Sequence, residues 1–234
     1  MTRTHLVTGA GSGIGEALVE RLTERGDRVV LLARSEQRAA ELADAFPGQP
    51  SLVADLARTG TLVERMDEWV AAHPGLRLDS LVHCAGVVEL GPVAEAEEEA
   101  WRRQLEVNLT APALLTRALL PALRAARGTV VFVNSTSGLV ANPQWAAYAA
   151  SKHGLKALAD SLRAEEAAHG IRVTSVLPSR TATPMQEEVH RQEGRDYDAS
   201  RWIDPRTVAD TVLHVLDLPT DATITDVVLR PASA

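Results

Sequence analysis

At 234 residues, with 45% apolar and 24% charged side chains, the chain is long enough for one α/β domain with a sizeable core. A net charge of −7 leaves no electrostatic footprint for nucleic acid, and no apolar run reaches the ~18 residues that a membrane span needs. The single cysteine, Cys84, excludes an internal disulfide and fits a reducing compartment, and residues 1–4 lack the form of a signal peptide, so a cytoplasmic protein without membrane or nucleic-acid partners is expected.

His5-Leu6-Val7-Thr8 is a short apolar run, followed by Gly9-Ala10-Gly11-Ser12-Gly13-Ile14-Gly15 and a helical pattern through Leu18, Val19 and Leu22. A strand, a glycine turn and a helix open a dinucleotide-binding unit: glycine lets the backbone approach a pyrophosphate, and the helix N-terminus offers it free N–H groups. The spacing, Gly-x-x-x-Gly-x-Gly, departs from the commoner G-x-G-x-x-G register. Residues 28–33 read as a second strand ending at Ala33-Arg34, and Ser35 caps the helix that carries Ala39, Leu42 and Phe46. A cofactor with a free ribose 2′-OH meets an acidic residue at this strand end, whereas an arginine suits a 2′-phosphate.

Residues 51–54 form a third strand ending at Asp55-Leu56, residues 62–70 a helix, and residues 79–83 a fourth strand closed by Cys84-Ala85-Gly86. Alternating strands and helices predict a single-domain, Rossmann-like, doubly wound parallel β-sheet with helices on both faces, spanning 1–234. Strand C-termini in such a sheet face one crevice, so Gly9, Arg34, Asp55 and Gly86 are predicted to meet there. The acidic run 95–99 is read as a solvated helix start, and that helix runs on through Trp101, Leu105, Leu109, Leu114 and Leu119 to about Ala126. Asn108 interrupts its apolar neighbours, and Pro112 removes the N–H that would bond the carbonyl of residue 108, freeing it to hold a water.

Residues 128–134 are a fifth strand, followed by Ser135-Thr136-Ser137-Gly138; no G-x-S-x-G elbow surrounds the serines, which argues against a serine hydrolase. On the next helix, 148–169, Tyr148 and Lys152 lie four apart and therefore on one face. Lys152 and Lys156 are the only lysines among 24 basic residues, so the pairing is sparse enough to be informative. A lysine cation beside the phenol favours the phenolate and lowers its pKa, giving a proton donor to a carbonyl or an acceptor from an alcohol. Residues 171–177 are a sixth strand ending at Pro178; 179–204 turns irregular and polar and is read as a substrate lid; 205–216 is a helix and 223–229 the last strand. Leu139, Val140, Trp145, Met185 and Trp202 predict a partly apolar substrate pocket. The seven histidines show no ligand spacing, and no metal is expected.

With these residues collected, the chain resembles the short-chain dehydrogenase/reductase family over essentially its whole length. Residues 8–15 look like the family's cofactor loop, with Gly9, Gly11, Ser12, Gly13, Ile14 and Gly15; Asp55-Leu56 resembles its adenine contact. Cys84, Ala85 and Gly86 stand where its Asn-Asn-Ala-Gly segment lies, and 178–183 resembles its Pro-Gly-x-x-x-Thr segment on the nicotinamide side, with Pro178, Thr181 and Thr183. Asn108, Ser135, Tyr148 and Lys152 fall at its catalytic tetrad. The departures are His83-Cys84 for Asn-Asn, which removes an amide hydrogen bond from the central sheet, and Ser179 for glycine.

The resemblance implies an NAD(P)-dependent oxidoreductase acting on a small carbonyl or alcohol. Tyr148 is the acid/base, Ser135 bonds the reacting oxygen, Lys152 lowers the tyrosine pKa and binds the nicotinamide ribose, and Asn108 holds a relaying water. Arg34 in place of an acid favours NADP(H) over NAD(H), although Ser12 lacks the basic side chain that many NADP-preferring relatives carry. The family associates through its two long central helices, and Leu115, Leu119, Leu123, Leu155, Leu158 and Leu162 extend beyond one core stripe, so a homodimer or homotetramer is expected. The alternative is a non-catalytic nicotinamide-nucleotide-binding redox sensor or scaffold, which loss of the tyrosine or lysine would signal; both are present. A sugar-nucleotide epimerase or dehydratase would need a second substrate region that the chain lacks.

Overall fold

The computed structural model describes residues 2–232, so Met1 and the last two residues of the predicted 1–234 domain lie outside the description. Seven strands pair in parallel in the order β3-β2-β1-β4-β5-β6-β7: β1 Thr4–Thr8, β2 Arg28–Ala33, β3 Ser51–Val53, β4 Ser80–His83, β5 Thr129–Val133, β6 Arg172–Pro178 and β7 Asp226–Leu229. The order reverses between β1 and β4, where Thr8 stands level with His83. At such a switch point the crossovers diverge to opposite faces and leave a crevice beyond the strand ends.

Both faces of the central strands are buried, which is why those strands are continuous apolar runs. Leu6, Leu81, Val130 and Phe132 point into one core, with α3 Thr59–Ala71, α5 Ala111–Ala126 and α6 Ala146–Glu166. Their neighbours Val7, Val82, Val131 and Val133 point into the other, with α1 Gly13–Glu24, α2 Glu36–Ala45 and α8 Pro205–Leu216. The alternation is the period of two that a strand imposes.

Several expectations are corrected. The helix expected from the acidic run begins only at Glu98 (α4, Glu98–Leu105), and Glu95 belongs to a separate 3-10 turn. The helix is not uniform either: Glu106–Thr110 is a π turn joining α4 to α5, in which the Ala111 N–H reaches back to the Glu106 carbonyl. The lid segment is not irregular, since α7, Pro184–Glu193, occupies its centre. Thr183 caps α7 by accepting from the Gln186 N–H, Pro184 opens it and Gly194 closes it at φ 64°. The last strand starts at Asp226, three residues late.

The leucines invoked for assembly are not surplus. Leu115, Leu119, Leu123, Leu155 and Leu162 are buried within the single chain, and Leu158 packs against the same cluster. Periodicity cannot separate a second core-facing row from an interface row, and here the wide helix face meets the sheet. Among the described residues no helix is long and apolar enough to cross a membrane, and no cluster of metal-ligating side chains occurs.

Two histidines are sealed into the sheet. His5 Nδ1 lies 2.7 Å from Ser80 Oγ, and burial pushes its pKa down to about 4 against the pull of Asp27. His83 stacks on Phe132 at 4.9 Å and bonds Thr116 Oγ1 at 2.9 Å, with burial taking its pKa down to about 3. The position expected to lose a sheet-stabilising hydrogen bond therefore has one, directed to α5. Unfolded histidines take up protons near pH ~6.5, well above where these two do. Between these values the unfolded chain binds more protons, so stability is complete above pH ~6.5 and is lost as pH falls toward 4. The His5 shift alone corresponds to a loss on the order of 3 kcal/mol. Thermal melts across this range should show the decline, and His83→Asn should make it shallower; an unchanged slope would dismiss His83 as a contributor.

Candidate active site

Beyond the strand ends lies a cavity of about 590 Å³. The glycine turn lines one end of it with Gly9, Gly11, Ser12, Gly13, Ile14 and Gly15. Gly9 has φ 68°, and a Cβ there would stand 2.8 Å from the Ala85 N, so the turn lies tightly against the loop after β4. Thr8 fixes that approach, because its hydroxyl accepts from the N–H groups of Cys84 and Ala85 at 3.1 and 3.0 Å. A Cβ on Gly15 would meet the Gly9 carbonyl oxygen at 2.1 Å. No side chain caps the start of α1, so its first N–H groups remain for a ligand. A cradle that only glycine fits, at an uncapped helix N-terminus, suits a dinucleotide pyrophosphate.

At this end the walls also carry Arg34, Asp55 and Leu56; Leu56 lines the cavity although its side chain packs into the core. Arg34 is exposed at the mouth. Arg38, one helical turn on, went unnoticed in the sequence: it donates to the Gly11 carbonyl at 2.6 Å and pairs with Glu41. Its place was signalled only by its position in the first turn of the helix that Ser35 caps.

At the other end the cavity meets Cys84, Ala85, Gly86, Ser135, Tyr148, Lys152, Pro178, Thr181 and Thr183. Of the predicted catalytic and cofactor residues, Asn108 alone does not reach the surface of the cavity. Fully buried, its amide accepts from the Val87 N–H, donates to the Val87 carbonyl, both at 2.9 Å, and donates to Ser151 Oγ at 3.0 Å. Ser151 in turn donates to the Tyr148 carbonyl at 2.7 Å. Asn134, also unforeseen, ties β5 to α6: its amide donates to the Lys152 carbonyl at 3.1 Å and accepts from the Ser135 N–H at 2.9 Å. It was legible only as a polar residue closing an apolar strand.

Ser135 and Tyr148 line the cavity together, and Trp145 meets the Tyr148 ring edge-on at 5.6 Å. Lys152 Nζ sits 5.7 Å from the Tyr148 ring centre and donates to the Val133 carbonyl at 3.3 Å. Electrostatics here corrects the sequence reading. Burial raises the Tyr148 pKa to about 12, outweighing the lowering effect of Ser135. Burial likewise brings Lys152 down to about 8 and lifts the Cys84 thiol to about 12. Before any ligand enters, the phenol is held in its protonated form.

The lid is pinned at both ends. Arg180 pairs with Glu193 at 2.6 Å and lies 5.4 Å from the Trp202 ring centre, while Gln192 Oε1 accepts from the Leu90 N–H at 2.8 Å. Met185 and Trp145 line the cavity as expected; Trp202 instead packs under the lid against His190, and Leu139 and Val140 are exposed outside the lining.

The short chain dehydrogenase family model matches residues 3–194. An uncharacterized oxidoreductase of Staphylococcus epidermidis is 30% identical, with 97% of this chain and 96% of that protein covered. The trans-4-hydroxycyclohexanecarboxylate dehydrogenase of Sinomonas cyclohexanicum is 31% identical over 90% of this chain and 84% of its own. Among solved structures, a putative NAD(P)-dependent gluconate 5-dehydrogenase from Beutenbergia cavernae with bound NADP superposes at a TM-score of 0.82, with 30% identity, covering 97% of this chain and 94% of that one.

Proposed function

The chain belongs to the short-chain dehydrogenase/reductase family of oxidoreductases, and from that premise we propose that it interconverts a ketone or aldehyde and an alcohol, with NADP(H) preferred over NAD(H). The observation that carries this reading is that Ser135, Tyr148 and Lys152 line the same cavity that the glycine turn closes at its far end.

The cofactor, when bound, supplies or accepts the hydride. The protein's part is geometry and proton transfer. Tyr148, protonated through the neutral range, gives its proton to the carbonyl oxygen in reduction and must first lose it for oxidation. Ser135 orients that oxygen, and Lys152 holds the ribose and replenishes the tyrosine. The Asn108 amide is spent on Val87 and Ser151, so its share in the proton relay falls to its main-chain carbonyl. Glycines 9, 11, 13 and 15 with Ser12 and Ile14 hold the pyrophosphate, Asp55 and Leu56 the adenine, and Cys84, Ala85, Gly86, Pro178, Thr181 and Thr183 the nicotinamide half. Residues 179–204 act as the substrate lid, and a homodimer or homotetramer is supported by family membership rather than by the central-helix leucines, which are buried within the chain.

The preference for NADP(H) follows from Arg34 and Arg38. Arg34 reaches a 2′-phosphate from the mouth, and Arg38, leaving Glu41, supplies the second cation that Ser12 does not. Exposure keeps the advantage near tenfold or somewhat above. The test follows absorbance of the reduced nicotinamide with a panel of ketones and aldehydes, comparing kcat/KM for NADPH and NADH in the wild type, Arg34→Ala and Arg38→Ala. Each substitution should erode the NADPH preference. Tight cofactor binding without turnover would instead mark a sensor, and equal kcat/KM values in the wild type would remove both arginines from cofactor selection.

A further inference from the structure

We propose that Gln104 is a positioning residue that builds the wall of the substrate pocket by holding residues 87–89 as an extended strand. Gln104 is 1% exposed on α4, one turn before Asn108. Its Oε1 accepts from the Glu89 N–H at 3.2 Å, and its Nε2 donates to the Glu89 carbonyl at 3.1 Å and to the Ala100 carbonyl at 3.2 Å. Asn108 grips Val87 in the same two-way fashion. Helix residues four apart share a face, and strand residues two apart share a side. The two amides therefore occupy successive rungs along one extended backbone and do the work of a missing neighbouring strand.

Val87 and Val88, which line the cavity, are carried on this strap. At its far end Gln192, from the lid helix α7, takes the Leu90 N–H. At its near end the Asn108 amide continues through Ser151 to the Tyr148 carbonyl. Gln104 thus stands in the middle of a run of hydrogen bonds that leads from the lid through the strap to the helix that carries Tyr148. A side chain of the same size without the amide fills the space and abandons Glu89. A buried amide with both ends used in this way is a specific constraint, because a leucine would satisfy the packing alone.

The turnover arm of the test rests on the oxidoreductase reading; the exchange arm does not. In Gln104→Leu, amide hydrogen exchange at residues 87–90 should quicken by at least about tenfold, with the sheet unchanged. KM for the carbonyl substrate should rise about tenfold while kcat changes by less than about threefold and cofactor affinity is kept. In Gln104→Glu, burial raises the carboxyl pKa, and the protonated acid can donate one bond and accept the other. Its KM should match the wild type at low pH and climb as pH rises, an ionisation the wild type lacks. Unchanged exchange in the strap, or a KM with no pH dependence in Gln104→Glu, would overturn the proposal. If Gln104→Leu fails to fold, exchange in Gln104→Glu at two pH values decides; if the wild type reduces no carbonyl, only the oxidoreductase reading falls.

Discussion

Replacing Tyr148 by phenylalanine should lower kcat for carbonyl reduction by ~10²–10⁴-fold, the usual contribution of a positioned general acid. The ring would still meet Trp145 at its edge, so packing and cofactor affinity should survive. The pH dependence gives a second signature. With burial raising the phenol to about 12, the proton donor is present throughout the neutral range, so reduction should vary little there. Alcohol oxidation needs the phenolate, and its rate should climb as pH rises. Steady-state kinetics in both directions, with cofactor titration of the variant, would check this. A variant retaining a tenth of wild-type kcat would sink the assignment.

Gly15→Ala should be the most damaging single methyl group in the cofactor half. The added carbon would stand 2.1 Å from the Gly9 carbonyl oxygen and 2.7 Å from its carbon, both backbone atoms that cannot turn aside. Either α1 moves off β1 or the turn opens, and in both cases the pyrophosphate cradle is lost. Cofactor affinity should fall by about 100-fold or more, with stability down by ~1–3 kcal/mol from overpacking. Gly60→Ala is the matched control: nothing lies within 4 Å of its added carbon, and alanine is the better helix former in α3. Isothermal titration with NADPH and thermal melts of both variants would decide. Wild-type affinity in Gly15→Ala would show that the turn does not seat the cofactor.

How far the sequence carried depended on whether the governing physics was local. The central strands were legible because both of their faces are buried, and α8 was found to the residue because Asp204 and Pro205 mark its start. The α7 helix obeyed the same rules, with Thr183 capping the Gln186 N–H and Pro184 opening it, and was overlooked because only Met185 and Val189 gave it an apolar pattern. The π turn could not be read, since i+4 and i+5 registers leave the same residue pattern. The Tyr148–Lys152 pair was legible from its four-residue spacing, whereas the Tyr148 pKa was not: lysine proximity and burial act in opposite directions, and only position shows that burial wins. Gln104 and Asn134 were invisible for a related reason. An amide's value lies in which backbone it meets, and those partners are 15 and 18 residues away.

Because the chain uses arginine almost everywhere, its two lysine amines have very different chemistry. Lys156 is tied to Asp160 and Asp226 at 2.6 and 3.2 Å, which keeps it charged. Lys152, brought down to about 8, is partly a free amine near neutral pH, and it opens onto the cavity alone. A small aldehyde that enters the pocket therefore meets Lys152 partly as the free amine near neutral pH, whereas Lys156 stays charged. Modification there would report on the pocket's occupancy.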